Sequence, residues 1–543
     1  MRMSLLIGAV LAATVSTSVH AQPPTAPKLV VAISVDQFSA DLFSEYRSTF
    51  GGGMRRLAGG VVFPSGYQSH AATETCPGHS TILTGDHPAR TGVIANNWYD
   101  LSISRATVQI YCAEDPSASD GAAGNYVVSP VHLKVPTLGD RMKAADPRSR
   151  VVSVAGKDRA AVMMGGHDTD QLWYWMDREK AFVTLASRAS APRPAAIGPV
   201  NAHAAELLAR DVTPVAPEGC RSRSMPIVSA QRTFGVIPPR LVDNLDGFKA
   251  GSELDDLTTD LAINLVRDLK LGQGPAPDLL AIGLSATDYV GHRYGTEGVE
   301  MCAQMADLDQ NIGRILSALD ATGAPYVVVL TADHGGHDAP ERHDIHAAPD
   351  AQRINPALNL NAIGAAVGPA FGLKGQWLYG EGATGDVYLY GVRASIRPQV
   401  LAALKAKFLT FPQVQAVFTG AQLRATPAPR GPANEWTLIE RFRTSFDPKR
   451  SGDLVVALKP NVTPLQPGGG SLATHGSPWN YDRRVPIVFY RPGMTGFEQP
   501  LPVETVDIAP SLAALIGLTI PAGDVDGRCL DIDAGAGDSC VRR

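Results

Sequence analysis

The chain has 543 residues, 44% of them hydrophobic and 19% charged, with a formal net charge of -5. That balance is ordinary for a soluble globular protein, and so small a charge excludes a general nucleic-acid or membrane-surface binder. Length alone allows about three or four domains, but 53 glycines and 41 prolines suit one large loop-rich catalytic fold better than a helical bundle.

At the N-terminus Arg2 precedes the apolar stretch SLLIGAVLAATV, and Val19-His20-Ala21 resembles a small-residue cleavage site. This predicts a signal peptide over residues 1–21, cut after Ala21. The alternative, an N-terminal membrane anchor, is disfavoured because the stretch is short and wrongly flanked. The mature chain, residues 22–543, is expected to be periplasmic or secreted, with no membrane span and no nucleic-acid module. KLVVAISVD then reads as a buried strand ending at Asp36. In SHAATETCPGHSTILTG, a small-residue loop carrying Thr75 leads into a helix. A threonine there is either a simple N-cap or a nucleophile whose oxyanion the helix N–H groups assist. Cys76 is a rival nucleophile, although pairing is expected of it in an oxidising compartment.

VIANNWYD follows, with Asn96 and its neighbour Asn97, and VVSVAGKDR predicts a strand running into a basic loop with Lys157 and Arg159. Residues 173–239 are rich in Ala, Pro, Arg and Ser, have little strand character and read as an insertion. DDLTTDLAINLVRDLK predicts a helix, PDLLAIGLSATD a second strand ending at Asp288 with His292 behind it, and MADLDQNIGRILSALD another helix. APYVVVLTAD ends at Asp333, followed directly by His334. Residues 354–463 contain DVYLYGV, RPQVLAALKAKFL and VQAVFTG, a small α+β cap. GDLVVALKP and RRVPIVFYRPG read as two more buried strands, with His475 in ATHGSP before the latter and a packing helix in ETVDIAPSLAALIGL after it. Strands alternating with helices predict an α/β fold: a doubly wound, mostly parallel sheet flanked by helices, with inserted cap segments.

In such sheets, ligands sit beyond the carboxyl ends of the strands. An aspartate at a strand end is ordinarily a cap or turn residue. Three of them, two with histidines close behind, point instead to metal. Asp36, Asp333 and His334 would make one station, and Asp288 and His292 with His475 the other. Such oxygen-plus-imidazole sets suit zinc with a position open to substrate, and two ions about 4 Å apart clamp an in-line displacement at phosphorus. Six cysteines in an exported chain favour disulfides; only Cys529 with Cys540 suggests itself by proximity, and the absence of CxxC argues against a cysteine zinc site.

Together TETCPGH, the strand-end Asp36, DYVGH and ADHG resemble the alkaline phosphatase superfamily, in its threonine-nucleophile branch with nucleotide pyrophosphatases and phosphodiesterases. Asn96 and AGKDRAA narrow the resemblance to periplasmic phosphate-irrepressible (PafA-type) alkaline phosphatases, including those of sphingomonads. It covers the core from about residue 28 onward. It implies two zinc ions per chain, Thr75 as nucleophile and metal ligand, and a phosphothreonine intermediate. It further implies Asn96, Lys157 and Arg159 on the non-bridging phosphoryl oxygens, an alkaline optimum, and a monomer acting on small phosphate esters. Broad specificity with secondary diesterase activity is expected, since no leaving-group pocket can be read. A phosphodiesterase or nucleotide pyrophosphatase is the alternative; a non-catalytic exported metal- or phosphate-binding protein is the third. Cys76-Pro77-Gly78-His79 departs from the C-x-P-x-R pattern of sulfatases, and export disfavours a phosphoglycerate mutase. His337, His343 and His346 crowd behind ADHG and receive no role.

Overall fold

The computed structural model describes residues 26–121, 126–188, 193–345 and 350–541. Residues 1–21, the expected signal peptide, and His346 lie outside them. Strands in chain order are β1 (Leu29–Val35), β2 (Val61–Tyr67), β3 (Val151–Ala155), β4 (Gln171–Met176), β5 (Ala181–Val183), β6 (Asp278–Leu284) and β7 (Tyr326–Thr331). They continue with β8 (Leu378–Tyr379), β9 (Gly385–Leu389), β10 (Val414–Thr419), β11 (Leu454–Leu458), β12 (Arg484–Tyr490), β13 (Phe497–Glu498) and β14 (Val503–Glu504). The central sheet has ten strands in the order β13-β2-β12-β7-β1-β6-β3-β4-β5, with β14 also on β2. Strands β7, β1, β6, β3 and β4 run parallel; β12 lies antiparallel between β7 and β2, and β5 antiparallel on β4.

β1 lies at the centre, and its period-2 alternation divides the core. Leu29, Val31, Ile33 and Val35 pack on one face with the helices Glu253–Asp268 and Val299–Asp320, whereas Val30 and Ala32 face Ile82, Leu83, Ile508 and Leu512 on the other. Burial on both faces explains the continuous apolar runs. The α/β architecture flanked by helices is therefore as expected.

Three local expectations are corrected. Asp288 is not at the end of its strand: β6 stops at Leu284, and Asp288 occupies the first turn of the helix Ala286–Tyr294. Lys157 and Arg159 are not in a loop either; Lys157 caps the helix Asp158–Gly165 and Arg159 is its second residue. Residues 173–183, read as insertion, complete the central sheet as most of β4 and all of β5, with Trp173 and Phe182 buried in its core. GDLVVALKP supplies β11, a buried strand that joins β8, β9 and β10 in a separate four-stranded antiparallel sheet. That sheet has its own apolar cluster with the helix Arg397–Phe408, including Val387, Leu404 and Val456. Its buried strand therefore carries the same apolar signature as a strand of the main core.

Candidate active site

Thr75 opens the helix Thr75–Thr84, with Glu74 as its cap residue. The Thr75 carbonyl binds His79 Nδ1 at 2.8 Å, and the same ring lies 3.1 Å from Asp333 Oδ2. His79 was given no role from sequence; its only signal is the i, i+4 spacing to Thr75, which stacks the two on one helical face. Gly78 lies against the backbone of Asp333 so closely that a Cβ there would stand 2.0 Å from the Asp333 carbonyl oxygen. Beyond β1 the chain turns at Gln37, whose φ of 65° is unusual for a non-glycine residue. Its N–H donates to Asp333 Oδ1 at 3.1 Å, tying the ends of β1 and β7 together.

Asp36, Asp288, Asp333, His334 and His475 are brought together with His292. His334 Nε2 lies 3.4 Å from Asp36 Oδ1 and 3.3 Å from Asp333 Oδ2. His292 Nε2 and His475 Nε2 lie 3.4 and 3.3 Å from Asp288 Oδ1, and 3.2 Å from each other. The two groups adjoin, since the His334 and His475 rings stack with centroids 3.6 Å apart and His334 also groups with Asp288 and His475.

These donors fit divalent metal. Ligands about 2.0–2.1 Å from a tetrahedral ion stand about 3.3 Å apart, the spacing found in both groups. Each imidazole holds its Nδ1 against a backbone carbonyl: His292 on Ala473 at 3.0 Å, His475 on Thr73 at 2.8 Å and His334 on Gly335 at 2.8 Å. A carbonyl only accepts, so the proton sits on Nδ1 and every Nε2 presents a lone pair inward. Asp36 Oδ1, Asp288 Oδ1, Asp333 Oδ2 and His334 Nε2 are buried without a hydrogen-bond partner. Buried lone pairs so arranged repel one another unless a cation lies among them. Burial, opposed by Asp333, holds His334 down at about 3, so its imidazole is neutral and free to ligate.

Three side chains frame Thr75. Arg159 Nη2 lies 3.5 Å from Thr75 Oγ1, and its Nη1 lies 3.4 Å from the Tyr111 hydroxyl. Tyr111 and Tyr126 donate to Asp158 at 2.7 and 2.9 Å, which fixes the start of the helix that carries Arg159. Neither tyrosine was legible as part of the site. Lys157 Nζ lies 2.6 Å from Asp36 Oδ2 and 2.5 Å from Asp288 Oδ2, touching one carboxylate of each metal group. Burial lowers this ammonium, but Asp288 and Asp36 outweigh it, and Lys157 stays charged. Asn96 Oδ1 accepts the Cys76 N–H at 2.8 Å, which leaves its Nδ2 donors free. Its backbone N–H donates to Glu74 at 2.7 Å. Asn97, the neighbouring candidate, instead turns to Glu381 at 3.4 Å.

The cysteines pair as Cys76–Cys112, Cys220–Cys302 and Cys529–Cys540. Cys76 is thereby removed as a rival nucleophile. His337 and His343 stand outside both metal groups, His337 on Thr463 at 2.9 Å and His343 near Glu297 at 3.8 Å.

Residues 30–478 match the family model described as type I phosphodiesterase / nucleotide pyrophosphatase. Over 523 residues the chain is 52% identical to the alkaline phosphatase PhoD of Zymomonas mobilis subsp. mobilis, covering 95% of this chain and 90% of that one. It is equally 52% identical over 523 residues to the alkaline phosphatase PhoK of Sphingomonas sp, covering 95% and 93% of the two. Among solved structures, the alkaline phosphatase PafA has the same fold, with a TM-score of 0.79 at 23% identity over 94% of this chain and 99% of that one.

Proposed function

The chain belongs to the type I phosphodiesterase/nucleotide pyrophosphatase family, in its alkaline phosphatase branch, and from that premise we propose a phosphate monoester hydrolase working by double displacement on Thr75. The observation that carries this reading is the setting of Thr75. Its hydroxyl stands at a helix N-terminus, 3.5 Å from the half-buried Arg159, with its carbonyl linked through His79 to Asp333.

We assign zinc to both donor groups, because three-ligand nitrogen and oxygen sets with an open position suit it. Asp36, Asp333 and His334, with Thr75, would hold one ion, and Asp288, His292 and His475 the other. Bound there, the pair would supply Lewis-acid stabilisation of the attacking and leaving oxygens. Thr75 Oγ1 attacks phosphorus, the bond to the leaving oxygen breaks, and that oxygen departs as the alcohol after taking up a proton. Water then cleaves the phosphothreonine, releasing phosphate and returning the hydroxyl. Asn96 offers Nδ2, Arg159 its planar fork and Lys157 a point charge to the non-bridging oxygens. A monoester brings close to two negative charges and a diester one, so two cations favour the monoester. Three disulfides among the described residues suit an oxidising compartment, and no described helix is long and apolar enough to cross a membrane. We place the enzyme in the periplasm or medium, as a monomer acting on small phosphate esters.

The test compares kcat/KM for an aryl phosphate and its methyl diester, before and after Lys157→Ala. A selective loss on the monoester is expected. An equal loss on both, or an intrinsic diester preference, favours the phosphodiesterase reading that the family description carries. Thr75→Ala should abolish turnover with metal retained; full activity in that variant overturns the mechanism, and turnover lost with Thr75 excludes a mere binding protein.

A further inference from the structure

A cleft of about 130 Å³ opens beside His475, between the catalytic sheet and the cap. Its wall includes Glu74, Glu381, Asp386, Tyr99 and Tyr388, and the described residues lining it include no lysine or arginine. Glu74 immediately precedes the nucleophile, and His475 belongs to the metal group assigned to the leaving group. The cleft therefore lies where the alcohol half of a substrate must go. Two tyrosine rings, Tyr99 and Tyr388, stand with centroids 5.6 Å apart. Asp386 accepts the Gly452 N–H at 2.5 Å, and burial, reinforced by Glu74, raises its carboxyl to about 7. Glu381 accepts from Asn97 at 3.4 Å and also binds the Gln109 amide, so neutral groups hold it on the rim. Among the described residues Glu381 and Asp386 have no cationic partner in the cleft, whereas Glu74 feels His475 and, from beyond the wall, Arg159.

Carboxylates with aromatic faces recognise ammonium groups. The phosphoryl end of the site carries Lys157 and Arg159, so the two ends have opposite sign. The cleft is also well below the roughly 300–1,000 Å³ of sites for drug-sized ligands, too small for a nucleoside. We propose that it is a leaving-group subsite selecting phosphate monoesters of short cationic alcohols, the class of amino alcohols and their quaternary ammonium forms. The proposal rests on the monoesterase reading and adds a specificity determinant, chiefly Glu381 and Asp386. Esters with anionic leaving groups are rejected by the same charges.

The experiment measures phosphate release from phosphocholine, phosphoethanolamine and glycerol phosphate by the intact enzyme, Glu381→Gln and Asp386→Asn. The cationic esters are expected to have kcat/KM about tenfold above glycerol phosphate, mostly through KM. The ratio should fall about fivefold in either variant, through loss on the cationic esters, and should shrink in the unmodified enzyme as salt rises from 0.05 to 0.5 M, about the range over which screening tightens. Equal kcat/KM for charged and neutral esters in the unmodified enzyme overturns the subsite while leaving the phosphatase reading intact. A preference that neither variant nor salt moves also overturns it. Failure to hydrolyse even glycerol phosphate defeats the underlying monoesterase reading instead.

Discussion

Gly78 is the position at which the smallest change should do the most damage. It is the fourth residue of the helix opened by Thr75, the proposed nucleophile, and an added Cβ would lie 2.0 Å from the Asp333 carbonyl oxygen and 2.6 Å from its carbon. Real Cβ atoms essentially never come within 3.0 Å of a backbone atom, so Gly78→Ala must part the helix from the Asp333 segment by about 1 Å. A misplacement of that size can cost about 100-fold in rate. Propensity argues the other way, since Gly→Ala inside a helix gains about 0.8–1 kcal/mol. Overpacking costs about 1–3 kcal/mol, so the net effect on stability is a loss of about 0–2 kcal/mol. The assay is kcat/KM on an aryl phosphate together with calorimetric Tm and metal content. A Gly78→Ala protein with native turnover and a raised Tm would refute the idea that this contact sets the distance between Thr75 and the Asp333 ligand.

Other outcomes follow from the charged interior. His87 is hydrogen-bonded to Asp526 at 3.1 Å and Glu504 at 3.0 Å; burial lowers its imidazole, but these carboxylates raise it to about 10. Its folded value thus exceeds the unfolded ~6.5, so its stabilisation is complete below about pH 6.5 and is lost as pH rises through 10. His87→Gln should therefore destabilise by about 2–4 kcal/mol at pH 6, discounted for partial exposure, and by little at pH 10.5, as read by denaturant midpoints. Chelation should lower Tm and abolish turnover together, because the orphaned lone pairs of Asp36, Asp333 and His334 lose their cation; an enzyme indifferent to exhaustive chelation contradicts the assignment of metal to those groups.

Legibility from sequence followed how local the determining interactions are. β1, β6 and β7 could be read because strands buried on both faces are apolar throughout, and Asp36, Asp333 and His334 fall where such strands stop. Asp288 was recognised by type but put on the wrong element. The helix that bears it has no side-chain cap of its own; Asp255, distant in the chain, accepts the Ser285 and Ala286 N–H groups at 2.7 and 3.0 Å. The DxxxH spacing is in fact the i, i+4 repeat of that helix, which puts Asp288 and His292 on one face. β4 and β5 were missed because β4, QLWYWM, carries tryptophan and tyrosine in place of an aliphatic run, and β5, AFV, is only three residues at the sheet edge. The brace of Tyr111 and Tyr126 on Asp158, and the cleft walled by Tyr99 and Glu381, are made by residues far apart in the chain, and no spacing announces them.

The Cys76–Cys112 bond closes a loop over a separation of 36 residues, and the two cysteines sit directly beside Thr75 and Tyr111. Asn96 lies within that loop, bonded to the Cys76 N–H through its side chain and to the Cys112 N–H through its carbonyl. Closing a loop of this length removes about 3–4 kcal/mol of denatured-chain entropy. The larger effect is on how the native state opens. Thr75, Asn96 and Tyr111 are tied into one cooperative unit, so local fraying cannot release one of them while the others stay in place. In hydrogen exchange, the amides of Cys76, Asn96 and Cys112 should open with a single free energy, and the face proposed to bind the phosphoryl group is accordingly either fully assembled or absent.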